Sequence, residues 1–175
     1  LALCKQGRFP SAYYHAVQAA ELAAQPSSVV PTMQMEIFVL AAELAHALLL
    51  TEAAQNWLAK AAAAEPPSPG SSAWLVRMHC LSSELSLETD ELVALVNHLE
   101  SGMRTTPNHP RLLASQARFL LKQNELEQAE ATFLSFANSW DHPQNTSLQV
   151  NTPQAEDWFS VSLAAADFAR WDQAL

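Results

Sequence analysis

Residues that favour β-strands or tight loops are scarce in this chain. It has three Gly, two Tyr and one Ile in 175 residues, whereas Ala and Leu together fill about a third of it. Because β-branched and aromatic residues favour strands, while Ala, Leu, Gln and Glu favour helices, this composition predicts an all-α protein. It excludes a β-sandwich, a barrel and a doubly wound sheet. Three Gly are also too few for a loop that cradles phosphate groups.

Basic residues are scarce as well. Nine Lys and Arg stand against 18 Asp and Glu, which gives a formal charge of −9. Nucleic acids and anionic lipid surfaces both require clustered cations, so neither is an expected partner. The longest apolar run, residues 37–50, is too short and too polar to span a bilayer, and no secretory signal is visible. We therefore expect no membrane insertion and a cytoplasmic location.

Cys and His, which often bind metals or act in catalysis, are few and dispersed. Cys4 and Cys80 lie too far apart in sequence to indicate a disulfide framework or a thiolate metal site. The six His are also scattered, and no two have the i, i+4 spacing that places paired ligands on one helix face. The sequence therefore predicts no catalytic residues, no metal site and no cofactor, and a protein that is not an enzyme.

A repeated pattern of helix pairs organises the chain. It is clearest in residues 110–143, where Pro110 begins a helix with large, small and large residues at i, i+4 and i+7. Residues 122–124 interrupt this helix, and a second one follows before residues 141–143 end it. The first helix presents Leu113, Ala117 and Leu120 on one face, and the second presents Leu126, Ala129, Phe133 and Phe136.

The same pattern recurs towards the N-terminus. Gly7 is the predicted turn residue there, and Ala12 and Ala54 are the small residues equivalent to Ala129. Residues 72–107 are degenerate, because Ser82 to Asp90 is predicted to be a long turn and Asp90 stands where a small Ala is expected. We therefore interpret residues 1–175 as a single helical-repeat domain, a fragment of a larger protein. Its predicted hairpins are approximately 1–26, 32–66, 72–107, 110–143 and 154–175, the last one incomplete.

These residues resemble the tetratricopeptide repeat, whose usual unit is 34 residues with small residues where its two helices cross. Other arrays of helical hairpins remain an alternative. The resemblance implies a right-handed superhelical array of antiparallel helical hairpins, an α-solenoid. In such an array the first helix of each hairpin lines a concave groove.

The resemblance also implies which residues face the groove. On the helix of residue 113 they include Arg111, Arg118 and Lys122, which share one face at i, i+7 and i+11 spacing independently of any family. This basic stripe is either a contact for an acidic side chain or a C-terminal carboxylate, or an ordinary solvated helix face. On the helix of residue 38 the groove positions include Glu36, Glu43 and His46, which would make the other end of the groove acidic.

We therefore expect a non-enzymatic scaffold or adaptor that binds a partner peptide or helix in the groove. Two alternatives stay open. One is a regulatory or sensor module of a larger signalling or transcription regulator, and the other is a secretion chaperone or assembly factor. The sequence leaves homo-oligomerisation open.

Overall fold

A computed structural model describes residues 6–25, 30–64, 72–140 and 166, without the side chains of residues 72 and 136–140. Every regular element in these ranges is an α-helix, which confirms the all-α prediction. The chain divides into two compact units, residues 1–85 and 86–175. The helices are α1 (Phe9–Ala23), α2 (Pro31–Ala47), α3 (Thr51–Ala63), α4 (Ser72–Glu88), α5 (Leu92–Thr105), α6 (Pro110–Lys122) and α7 (Leu126–Trp140).

Proline marks the start of several helices. Pro31 and Pro110 are the first residues of α2 and α6, and Pro10 is the second residue of α1. The N–H groups in the first turn of a helix have no intrahelical acceptor. Proline, which has no N–H, therefore costs the helix no hydrogen bond there. The predicted start of a helix at Pro110 is thus confirmed.

Three of the connections between helices are turns of the same kind, each three residues long. Their middle residues adopt the left-handed conformation, with φ of 59° at Leu49, 61° at Asp90 and 63° at Asn124. In the first turn, Leu50 N donates to Ala45 O (2.9 Å) and Leu49 N donates to His46 O (2.8 Å). This is the Schellman arrangement, which satisfies the last carbonyl groups of a helix while the chain leaves it. The other two turns share the outer bond, from Glu91 N to Ser86 O and from Glu125 N to Leu120 O, each 2.9 Å.

Gly7 occupies the equivalent position before α1, with φ of 68°. Glycine has no Cβ and adopts this conformation without steric cost. In each of the four cases the second residue after the left-handed one begins a helix, and the fifth is buried. These buried residues are Ala12, Ala54, Leu95 and Ala129. The described part of the chain is therefore helical-repeat-like at the level of its turns and helix starts.

The structure corrects the interpretation of residues 82–90. Ser82 to Glu88 continue α4, and the turn is confined to residues 89–91. Asp90 is the left-handed residue of this turn, and Leu95 takes the place where a small Ala was expected. The serines are compatible with a helix because their hydroxyl groups can bond the helix's own backbone. Ser83 Oγ, for example, donates to His79 O over 2.8 Å.

In the unit of residues 1–85, α2 packs against both α1 and α3. Alanines at Ala16, Ala20 and Ala42 are buried at these contacts, where small side chains let helix axes approach closely. One larger contact joins α2 to α3, where the rings of Phe38 and Trp57 are stacked with centroids 5.9 Å apart. The side chain of Gln34 on α2 also donates to Ala23 O at the end of α1 (2.9 Å). Close packing of small residues and these specific contacts together fix α1, α2 and α3.

In the unit of residues 86–175, α6 packs against α7 and α5. Its core is built mainly from leucine, with Leu95 of α5 and Leu112 of α6 fully buried. Ala117 and Ala129 are fully buried as well, on α6 and α7. Of the positions predicted for residues 110–129, Leu113, Ala117 and Ala129 are therefore in the interior, whereas Leu120 and Leu126 are half-buried.

Several predictions stay predictions. The incomplete hairpin at 154–175 lies outside the described residues apart from Ala166, as do residues 1–5 of the first hairpin. The single domain over 1–175 and the superhelical array of antiparallel hairpins are not decided by the helices described above.

Leu49 combines a left-handed backbone with a side chain that is 87% exposed. An L-residue other than Gly pays a steric cost in this conformation, and an exposed leucine gains little from burial to offset it. We expect Leu49→Gly to raise the free energy of unfolding by about 1 kcal/mol. Urea unfolding followed by circular dichroism measures this change.

The exposed Leu22 of α1 provides the matched control, because it lies within a helix of the same unit. There, Leu22→Gly should lower the free energy of unfolding by roughly 0.5–1 kcal/mol. Destabilisation by both substitutions would show that the Leu49 backbone carries no strain.

Candidate functional site

The solvent-facing side of α2 carries two of the predicted groove residues. We define the α2 face as the exposed or half-buried residues that recur at i, i+3, i+7, i+10 and i+14, on the side opposite the buried residues of the helix. Glu36 and Glu43 lie on this face, and His46 is half-buried at its edge, in the last turn. The α2 face consists of Met33, Glu36, Leu40, Glu43 and Ala47.

Glu43 is held by an arginine of α4. Arg77 Nε donates to Glu43 Oε1 over 2.8 Å, and Arg77 Nη2 donates to Glu43 Oε2, which makes a bidentate ion pair. The same guanidinium lies over the ring of Trp74, with Cζ 4.3 Å from the ring centroid. The Glu43 side chain is 18% exposed and that of Arg77 is 37% exposed, so the pair is partly shielded from water. Arg77 therefore neutralises the carboxylate that the resemblance placed in an acidic groove.

Sequence reasoning missed both Trp74 and Arg77. The sequence spacing did indicate a contact between these two residues, because residues three apart on a helix are neighbours on its surface. The partnership with Glu43, 34 residues away, has no sequence signal. We name the three residues Trp74, Arg77 and Glu43 the α2–α4 cluster.

The three residues of the predicted basic stripe on α6 have different surroundings. Arg111 is buried, with 7% of its surface exposed, within a run of buried residues from 111 to 115. Arg118 is half-buried, and Lys122 at the end of the helix is exposed. They share a helix side as predicted, but they do not form a uniformly exposed row of cations. An incoming carboxylate would reach Lys122 and Arg118 more readily than Arg111.

Lys122 contacts the end of α4. Its Nζ donates to Leu87 O and to Asp90 Oδ1, both over 2.8 Å. The last carbonyl groups of a helix have no intrahelical donor and carry the negative end of the helix dipole, so an ammonium group is favourable there. The same contact compensates Asp90, whose carboxylate lies close to this negative end. In this structure Lys122 therefore caps a helix.

The described residues as a whole add three observations to the candidate site. No group of three or more His, Cys, Asp or Glu side chains close enough to hold a metal ion occurs among them. No helix in the described ranges combines the length and the apolar character needed to cross a membrane. A shallow, open depression lies at the start of α5, lined by Asp90, Glu91, Leu92, Val93, Ala94 and Asn97.

His98 is half-buried on α5, and this burial lowers the pKa of its imidazole below the ordinary value of about 6.5. Desolvation has this effect because it penalises the charged form. The unfolded chain therefore binds a proton at His98 more readily than the folded chain does, and acidification favours unfolding.

A double-mutant cycle tests the pair in the α2–α4 cluster. Glu43→Gln and Arg77→Met, alone and together, should give a coupling free energy of about 1 kcal/mol in urea unfolding, because the pair is bidentate and partly shielded. The stacking of Arg77 on Trp74 is lost equally on both sides of the cycle and cancels.

The ion pair between Arg104 and Glu100 on α5 serves as the control. These side chains are 77% and 64% exposed and lie 3.9 Å apart. The matched cycle, Glu100→Gln with Arg104→Met, should couple by less than about 0.5 kcal/mol. Equal coupling in the two cycles would contradict a special role for the partly shielded pair.

Removing His98 should weaken the acid sensitivity of the fold. Stability conferred by the neutral imidazole is complete above pH of about 6.5 and is lost as the pH falls through the lower folded-state pKa. The free energy of unfolding should therefore fall less between pH 7.5 and pH 5 in His98→Gln than in the unmodified protein, as measured by urea unfolding at both pH values. The exposed His15 provides the comparison as His15→Gln, and an identical loss in all three proteins would contradict the prediction.

Comparisons with known proteins identify no relative. No protein-family model, no curated protein and no solved structure matches this chain.

Proposed function

We propose that this chain is a non-enzymatic protein-interaction scaffold or adaptor. In this proposal its helix pairs continue as a tetratricopeptide-like, right-handed array of antiparallel hairpins. The first helices of the pairs, α2, α4 and α6, line a concave groove that receives a partner peptide or helix.

The observation that carries the proposal is the recurrence of one turn. Leu49, Asp90 and Asn124 occupy the same left-handed position in three turns of equal length, each between a first and a second helix. Tandem helix pairs of this kind bury their interiors against neighbouring pairs and leave extended surfaces that bind other proteins. Repetition of the unit therefore supports a binding role more directly than any single residue does.

The composition of the α2 face gives further support. A solvated helix face is usually covered by charged and polar side chains, whereas this one alternates apolar and acidic residues. Met33 is 48% exposed, and Leu40, which packs against the core on one side, remains partly accessible. Methionine is flexible and polarisable, and it adapts to different partner surfaces. A mixed face of this kind suits a peptide contact better than a purely solvated role.

The surroundings of the three basic residues indicate which of them can contact a ligand at the basic end of the proposed groove. Arg118 and Lys122 are its accessible cations, and Lys122 contributes when a ligand carboxylate replaces Asp90. Arg111 is a poor probe, because placing a carboxylate at a buried position would destabilise the fold irrespective of any ligand.

Hydrogen exchange with a bound peptide tests this function. A 12-residue peptide selected from a random display library on the whole 175-residue chain should slow exchange in α2, α4 and α6 more than in α3, α5 and α7. Arg118→Glu should weaken binding of an acidic peptide about five-fold or more, which corresponds to about 1 kcal/mol.

The control for this experiment is Arg104→Glu, because Arg104 is an exposed cation on a second helix, α5. It should change the affinity by less than about two-fold. Failure to select any peptide, or protection confined to the second helices, would overturn the proposed function. Circular dichroism of both variants checks that each remains folded.

A further inference from the structure

The two glutamates of the α2 face differ in their partners. Glu43 is occupied by Arg77. Glu36 lies two helical turns away, about 10 Å along the axis, and is half-buried. It has no hydrogen-bond or ion-pair partner within residues 6–25, 30–64 and 72–140.

An unpaired and partly desolvated carboxylate is unfavourable by itself. It loses part of its hydration, and a cation brought against it from outside would restore the lost interaction. The exposed glutamates of the same unit, such as Glu21, keep their hydration and have less to gain. Glu36 is therefore the point on the α2 face at which a positive charge would be most strongly stabilised.

The side chains next to Glu36 are apolar. Met33 precedes it by three residues and Leu40 follows it by four, so both are its immediate neighbours on the helix surface. An Arg or Lys side chain can lay its methylene groups on such neighbours while its charged end reaches the carboxylate. The surface thus matches a cation with an apolar stem and an adjacent apolar residue.

We propose that the α2 face binds a partner segment that places a Lys or Arg side chain on Glu36 and an apolar side chain on Met33 and Leu40. This inference rests on the proposed function, and it names the chemistry of the partner at that site as basic and apolar. The α2–α4 cluster marks the far end of the contact, where Arg77 already supplies the positive charge and a second cation is not needed.

Peptide selection on matched variants tests the inference. A random 12-residue display library is selected on the whole chain, on Glu36→Gln and on Glu21→Gln, which have the same net charge as each other. Peptides selected on the unmodified chain and on Glu21→Gln should be enriched in Lys or Arg close to Leu, Ile, Phe or Met. The Glu36→Gln pool should lose this basic enrichment.

Affinities give the quantitative readout. The tightest peptide from the unmodified chain should bind Glu36→Gln about five-fold or more weakly, and Glu21→Gln within about two-fold. Replacing its Lys or Arg by norleucine should weaken binding to the unmodified chain by a similar factor and leave binding to Glu36→Gln nearly unchanged.

The failures are distinguishable. Peptides that bind without a basic preference, or that bind Glu36→Gln as tightly as the unmodified chain, would overturn this inference and leave the proposed scaffold role standing. Selection of no peptide on the unmodified chain would overturn both.

Discussion

The need to satisfy the last carbonyl groups of a helix within three residues underlies the described architecture. A residue in the left-handed conformation just after a helix can turn the following N–H groups back to the open carbonyls and let a second helix begin within three residues. Leu49, Asp90 and Asn124 do so. Because the turns are alike, each second helix begins at the same distance from the left-handed residue and buries the same position.

Small residues are buried at the helix position that these turns fix. Ala12, Ala54 and Ala129 follow the turn positions at a constant interval and let the second helix approach its neighbours. Leu95 takes this place on α5, so a larger side chain is buried there after a turn of the same kind. Side chains that reach from one helix to cap another add a further constraint. Lys122 caps α4 and Gln34 caps α1, which ties each recipient helix end to a residue that is distant in sequence.

Composition, proline positions and helical periodicity predicted the all-α class. In residues 110–129 they also predicted the helix start at Pro110 and the buried positions of Leu113, Ala117 and Ala129. The prediction for Ser82 to Glu88 was wrong, because serine is common in turns and its ability to bond its own helix backbone is invisible in a sequence. For the candidate site, spacing showed which residues share one side of a helix. It could not show which neighbouring helix supplies a counter-charge, since Glu43 and Arg77 are 34 residues apart. It also could not show that Arg111 is buried while Lys122, on the same side, is exposed.

The two kinds of connection between helices differ in how freely their lengths vary. Turns within a pair are each three residues, at 48–50, 89–91 and 123–125, whereas connections between pairs cover 24–30, 64–71 and 106–109. The hydrogen bonds of each turn connect residues at fixed positions relative to the left-handed residue. Inserting or removing one residue would therefore break these bonds and shift the second helix relative to the first. Evolutionary insertions and deletions would therefore accumulate between pairs, and so would engineered ones such as inserted tags.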